Sequence, residues 1–194
     1  MKTARPLPDD FQDRPFTVVD AARAGVSLKR LRHRSLHRMG RGILSESPTA
    51  ELPLSIRARP FIEVNERCAA SHLTAAELLV LPRRQQKGSP DMFHVIRPGG
   101  EAHLNRPHVI VHRMKLFDDE VTAVDGIPVT TPERTWLDMA EMLSVDELVA
   151  MGDSCVRIPR AAFEERDMPL CSLADLQRMI DRHEGKRGLR KATG

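Results

Sequence analysis

The sequence has no tyrosine, one tryptophan (Trp136) and six phenylalanines in 194 residues. At 41% hydrophobic content it can still bury a sizeable core, but that core has to be aliphatic. Only three cysteines occur, Cys68, Cys155 and Cys171, far apart and without a CxxC pair. An odd, scattered set argues against a disulfide framework or a cysteine zinc site and fits reduced thiols in the cytoplasm. No apolar run is long enough to span a bilayer and no signal-peptide pattern is present, so no membrane partner is expected. A glycine-rich phosphate loop is lacking, and so is a Ser–His–Asp pattern with usable context. No carboxylate pair is followed by E-x-K on a strand, and Asp118-Asp119 reads as a turn before Val121. The chain is therefore not expected to be an enzyme, and no catalytic residue, metal-ligand set or cofactor is assigned.

The most informative scarcity is local. Between Ala21 and Ser45 there is no acidic residue, while Arg23, Lys29, Arg30, Arg32, Arg34, Arg38 and Arg41 fall there. The whole chain carries a net charge of only +3, so its basic charge is concentrated in this stretch. Such a patch is the footprint of phosphate binding, because each cation that neutralises a phosphate releases counterions.

Local signals give the same stretch a shape. Thr17 is a good N-cap with Asp20 three residues on, and Phe16 is placed as a hydrophobic staple. Ala21, Ala22 and Ala24 favour helix, and Gly25 stops it. Ser27 caps a second helix from Leu28 to about Arg34, with Leu28 and Leu31 on its apolar side. Arg38-Met39-Gly40-Arg41-Gly42 then suits a tight turn between two short strands, a wing. The reading is a winged helix-turn-helix over 15–46 binding double-stranded DNA. Ser27, Lys29, Arg30, Arg32, His33, Arg34, Arg38 and Arg41 are the expected contacts, with Arg30 or Arg34 setting sequence preference.

The flanking segments read differently. Residues 1–14 are polar, carry Pro6 and Pro8, and suggest a flexible arm. Glu46 to Leu54 has two prolines and no clear period, a connector. Over 55–181 the pattern is mixed. Arg59 to Glu66 is a short helix or strand. Thr74 caps a helix, with Glu77 completing a capping box and Pro82 ending it. Met92 to Arg97 and His108 to Arg113 read as strands separated by the turn residues Pro98-Gly99-Gly100. Ile127 to Thr130 is a strand running into a helix, with Thr131 as N-cap and Pro132 first. Trp136, Leu137, Ala140 and Leu143 recur at helical spacing and should face the core. Ser144 with Glu147, and Ser172 with Asp175, cap two further helices. Residues 182–194, holding Lys186, Arg187, Arg190 and Lys191, read as a basic tail or linker. The fold class is α+β, an N-terminal winged helix-turn-helix followed by a mixed α/β second domain.

Histidine and arginine in this second part are read as structural. His94, His103, His108 and His112 fall close together, but without a recognised ligand spacing they read as surface or cross-strand side chains. Cys68 and His72, four apart on a helix, could join a metal site, but the preferred reading of Cys68 is a buried thiol near a capping turn. Arg134 and Thr135 read as anchors for a helix start.

Several segments resemble the AbiEi antitoxin family of type IV toxin–antitoxin systems. Phe16-Thr17, Ala24-Gly25-Val26-Ser27 and Arg38-Met39-Gly40-Arg41-Gly42 resemble its N-terminal winged helix. Ile43 and Leu44 stand where members usually carry an aromatic residue. Ser71-His72-Leu73-Thr74-Ala75-Ala76, Leu81-Pro82, Val111-His112-Arg113 and Gly126-Ile127-Pro128-Val129-Thr130-Thr131-Pro132-Glu133-Arg134-Thr135 look like segments of the domain that follows. The resemblance runs from Phe16 to about Asp181. It implies a DNA-binding transcriptional regulator that represses its own operon and counteracts a cognate toxin. Many relatives continue into a very-short-patch-repair-like nuclease domain, which would begin near Lys186-Arg187-Gly188. The alternative is therefore the DNA-targeting portion of such an endonuclease.

Overall fold

A computed structural model describes residues 5–47, 52–63, 67–82, 92–99, 107–160, 162–164 and 166–192. The N-terminal part runs strand, helix, helix, strand, strand: β1 Phe16–Thr17, α1 Val18–Arg23, α2 Leu28–Leu31, β2 His37–Gly40 and β3 Ile43–Ser45. The three strands pair antiparallel in the order β1-β3-β2, so the hairpin returns beside the strand that precedes the helices. This is the element order of a winged helix-turn-helix. Thr17 Oγ1 accepts from the Asp20 N–H at 3.0 Å, capping α1. Gly25 ends it at φ +80°, where a side chain would be strained. The wing turn is Arg41-Gly42, with Gly42 at φ +75°.

Three expectations change here. Residues 5–14 are folded, not a loose arm: Leu7 and Phe11 are buried, and Phe11 meets Phe16 with ring centroids 5.1 Å apart. Two apolar residues four apart in a polar stretch suffice, because so small a unit needs every apolar side chain it can bury. Phe16 lies in β1 and joins this cluster with Ala21, Leu31, Leu36 and Leu44, so it acts as core, not only as a staple. Helix α2 stops at Leu31 instead of about Arg34. The chain turns there, with His33 N–H donating to the Arg30 carbonyl and Leu36 N–H to that of His33.

Ile43 and Leu44 are adjacent on β3 and therefore face opposite ways. Leu44 packs into the N-terminal cluster, whereas Ile43 is wholly buried in a second cluster with Phe61, Ile62, Phe93, Val95, Ile127 and Val129. The two aliphatic residues of the wing thus stitch one core to the next.

The rest is mixed. α3 Leu54–Glu63, β4 Ala69–Ala70, α4 His72–Leu78, β5 Phe93–Arg97 and β6 Val109–Arg113 lead to β7 Val121–Val124 and β8 Ile127–Thr130. Helices α5 Pro132–Met139, α6 Val145–Val156, α7 Leu173–Arg182 and α8 Leu189–Ala192 follow. The five strands lie in the order β6-β5-β4-β8-β7. Strands β5 and β6 pair parallel, with His94 opposite Ile110 and Ile96 opposite His112. A parallel pair needs a crossover, so Pro98-Gly99 does not close a hairpin. Arg59–Glu63 is the end of a helix, of the two forms the sequence left open. The expected Thr74 cap is displaced: Ser71 stands at the N-cap, Thr74 is buried, and its Oγ1 accepts from His94 N–H at 2.8 Å. That hydroxyl ties α4 to β5 instead.

The helices share a third cluster. Trp136, Leu137, Ala140 and Leu143 are buried there with Leu148, Met151 and Met179, as their spacing predicts. Trp136 Nε1 donates to the Leu148 carbonyl at 3.0 Å. The Ser144–Glu147 and Ser172–Asp175 capping boxes both form. The basic C-terminal segment is docked, not a linker. Leu189 and Ala192 pack on the third cluster, and Lys191 Nζ donates to the Leu143 carbonyl at 2.8 Å. Gly188, at φ +85°, lies so close to the Ala140 carbonyl that a Cβ would sit 2.6 Å from its carbon. Its glycine serves close approach, which composition alone misreads as flexibility.

Candidate nucleic-acid interface and a buried polar centre

Helix α2 and the β2–β3 hairpin hold the residues expected to meet DNA, and they divide into two sets. Lys29, Arg32, Arg34, Arg38 and Arg41 are exposed. Ser27 is exposed too, and its Oγ caps α2 by accepting from Arg30 N–H at 3.3 Å. His33 is half-buried, its Nδ1 3.0 Å from Ser35 Oγ. Arg30 differs from all of them. It is 8% exposed, donates from Nε to the Arg5 carbonyl at 2.7 Å and from Nη1 to Ser35 Oγ at 3.1 Å, and pairs with Glu46 through Nη2. Its guanidinium clamps the N-terminal segment to the turn after α2. The expectation that Arg30 reads bases is therefore withdrawn. On a one-turn helix carrying Leu31 inward, the adjacent side chain at position 30 is drawn into the fold as well.

A second concentration of charge lies inside the molecule. Arg134, on α5, is fully buried between Glu120 and Asp138, both also fully buried. Its Nε donates to Asp138 Oδ1 at 3.1 Å, and its Nη1 donates to Glu120 and to the Lys115 carbonyl at 2.9 Å. His183 Nε2 lies 2.7 Å from Glu120 Oε1, and Lys186 Nζ 2.9 Å from Asp138 Oδ1. Burial pushes the Asp138 carboxyl up, but the charges of Arg134 and Lys186, with the Lys186 hydrogen bond, more than reverse this and hold it below the usual range. Thr135 Oγ1 meets Thr130 Oγ1 at 2.7 Å, joining α5 to β8. Arg134 and Thr135 are thus anchors, as read from the sequence. Glu120, set in a 3-10 turn, is the partner that the acidic run 118–120 concealed.

Of the two forms expected, His94 and His112 take the cross-strand one, on paired β5 and β6, and His72 joins them. None of the three is a surface side chain: His72 and His94 are buried and His112 half-buried. His94 Nδ1 lies 2.9 Å from His112 Nε2, and the His72 and His112 rings stack with centroids 3.5 Å apart. Burial lowers the imidazolium stability of all three, His72 to a pKa of about 3 and His94 to about 4. The sequence set His72 beside Cys68 and not with His94 and His112, from which it lies far along the chain. Only the parallel β5–β6 pairing and the start of α4 bring the three together. His108 precedes β6 in a left-handed conformation, φ +66°, and His103 lies outside the described residues.

These features fall within or beside a segment with known counterparts. The fold is α+β, and residues 69–155 match the family model of the AbiEi antitoxin C-terminal domain. Residues 69–155 are accordingly AbiEi-like, and a domain of this kind supports a type IV antitoxin-like regulator in general. The match runs from β4 to α6 and includes His72, His94, His112, Glu120, Arg134 and Asp138, while the exposed cations of α2 and the wing lie outside it. None of the curated proteins matches the chain. Among the described residues, no helix is long and apolar enough to cross a membrane.

Proposed function

We propose that this chain is a DNA-binding transcriptional regulator of the antitoxin type. In this reading the segment 15–46 is a DNA-binding domain that occupies an operator and represses its own operon. The mixed domain, 55–181, counteracts a cognate toxin. The observation that carries the reading is the set of exposed cations Lys29, Arg32, Arg34, Arg38 and Arg41 around α2 and the wing turn. Phosphate contacts from such a set supply affinity and salt dependence, and base contacts supply specificity. Arg38 and Arg41, at the hairpin, suit backbone or minor-groove contact, and Arg34 is the candidate for sequence preference.

The test is duplex binding by the full chain, followed by fluorescence anisotropy over a range of salt concentrations. The duplex is the DNA upstream of the protein's own gene. Replacing Lys29, Arg32, Arg34 and Arg38 by Ala should weaken binding and reduce the salt slope by about one unit for each phosphate left unneutralised. The circular dichroism of the variant should match the parent, since all four are exposed. Unchanged affinity in the folded variant refutes the assignment.

A further inference from the structure

We propose that His72, His94 and His112 form a binding site for one divalent transition-metal ion of the zinc class, with three imidazole ligands and a fourth position open. The three ligand nitrogens all lie within 4.8 Å of one another. Nitrogens bound to a tetrahedral ion at 2.0–2.1 Å stand about 3.4 Å apart. The His94–His112 pair, at 2.9 Å, is already near this spacing. The third ring supplies the stronger clue. His72 is fully buried, its Nδ1 lies 3.1 Å from Ser71 Oγ, and its Nε2 has no hydrogen-bond partner. Donation from Nδ1 to Ser71 leaves the lone pair on Nε2, the tautomer that ligation through Nε2 needs, set by the hydrogen bond of the other ring nitrogen.

Protons alone do not satisfy this cluster. One N–H can be shared between His94 and His112, but the His72 lone pair then stays buried and unmatched, a cost that native structures seldom leave unexplained. A single cation accepts all three lone pairs. The rings come from well-formed elements: His72 opens α4, and His94 and His112 lie on paired β5 and β6. The stacked His72 and His112 rings need a modest rotation for their nitrogens to converge on one ion.

The charged groups acting on the cluster are Asp138, Glu141 and Lys186. The Lys186 ammonium opposes a cation, but it is paired with Asp138 at 2.9 Å. Asp138 Oδ2 is buried without a partner, so the carboxylate retains accepting capacity beside the site. A bound ion would clasp α4 to the β5–β6 edge of the sheet.

The full chain, stripped with chelator, is titrated with cobalt(II) as a spectroscopic stand-in and then with zinc. One cobalt per chain is expected, with the visible absorption of a tetrahedral site and displacement by zinc, and zinc should raise the melting temperature. His94→Gln and His112→Gln should each weaken binding at least about tenfold, whereas the exposed His37→Gln should not. X-ray absorption of the zinc-loaded parent supplies a readout that does not depend on the variants' folding. A first shell containing three imidazoles supports the site. No stoichiometric binding, a shell with sulfur or without imidazole, or folded variants that bind as the parent does would each overturn it.

Discussion

The molecule holds arginine in two opposite ways. Around α2 and the wing, Arg32, Arg34, Arg38 and Arg41 are exposed, where long side chains keep their hydration. On α5, Arg134 is sealed from solvent and held by Glu120 and Asp138. An exposed cation adds little to stability but remains available to a partner. A buried one is available to nothing, and its removal strands charges that water cannot reach. Arg30 falls between, being in the basic stretch by sequence and in the fold by structure. The same residue type thus serves recognition or architecture according to whether carboxylates and carbonyls surround it.

The comparison can be broken at each of its points. Arg134→Ala should cost about 3–5 kcal/mol, because Glu120 and Asp138 would stay buried with their principal partner gone. Urea unfolding of parent and variant measures this, and a loss below about 1 kcal/mol would mean that water reaches the centre. Arg30→Ala should cost less, about 1–3 kcal/mol, since Glu46 is partly exposed and can recover hydration. That variant is the sharpest test of the division. If Arg30→Ala melts with the parent yet loses sequence preference, Arg30 belongs with the exposed set after all. Arg41→Ala should change stability by no more than about 0.5 kcal/mol. Its effect should appear in binding instead, as similar proportional losses on operator and scrambled duplex. Weakening confined to the operator would show that Arg41 reads bases.

Much of this was legible in the sequence where interactions are local. The Thr17 cap, the helix stop at Gly25, the wing turn at Gly42, the two capping boxes and the inward face that begins at Trp136 each rest on spacings of no more than four positions. Their chemistry is complete before the chain folds. Legibility failed where a partner is distant. Thr74 carries every mark of a helix cap, yet His94 N–H claims its hydroxyl. Gly185 and Gly188 look like linker residues, yet Gly188 is required because the Ala140 carbonyl lies against it.

What the sequence by itself determined is the α+β class, the capped starts of α1, α2, α6 and α7, the largely aliphatic character of the cores and the concentration of basic charge in one stretch. All follow from composition and short-range spacing. Tertiary structure alone decided which cation of that stretch is withdrawn, that Glu120 is the counter-charge of Arg134, and that three histidines from α4, β5 and β6 share one site. The reason is that burial and partnership are set by pairings across 14 to 40 positions, such as β5 beside β6 and α4 across β5. No local propensity encodes which distant element arrives, because the same side chains satisfy several neighbours equally well until packing selects one.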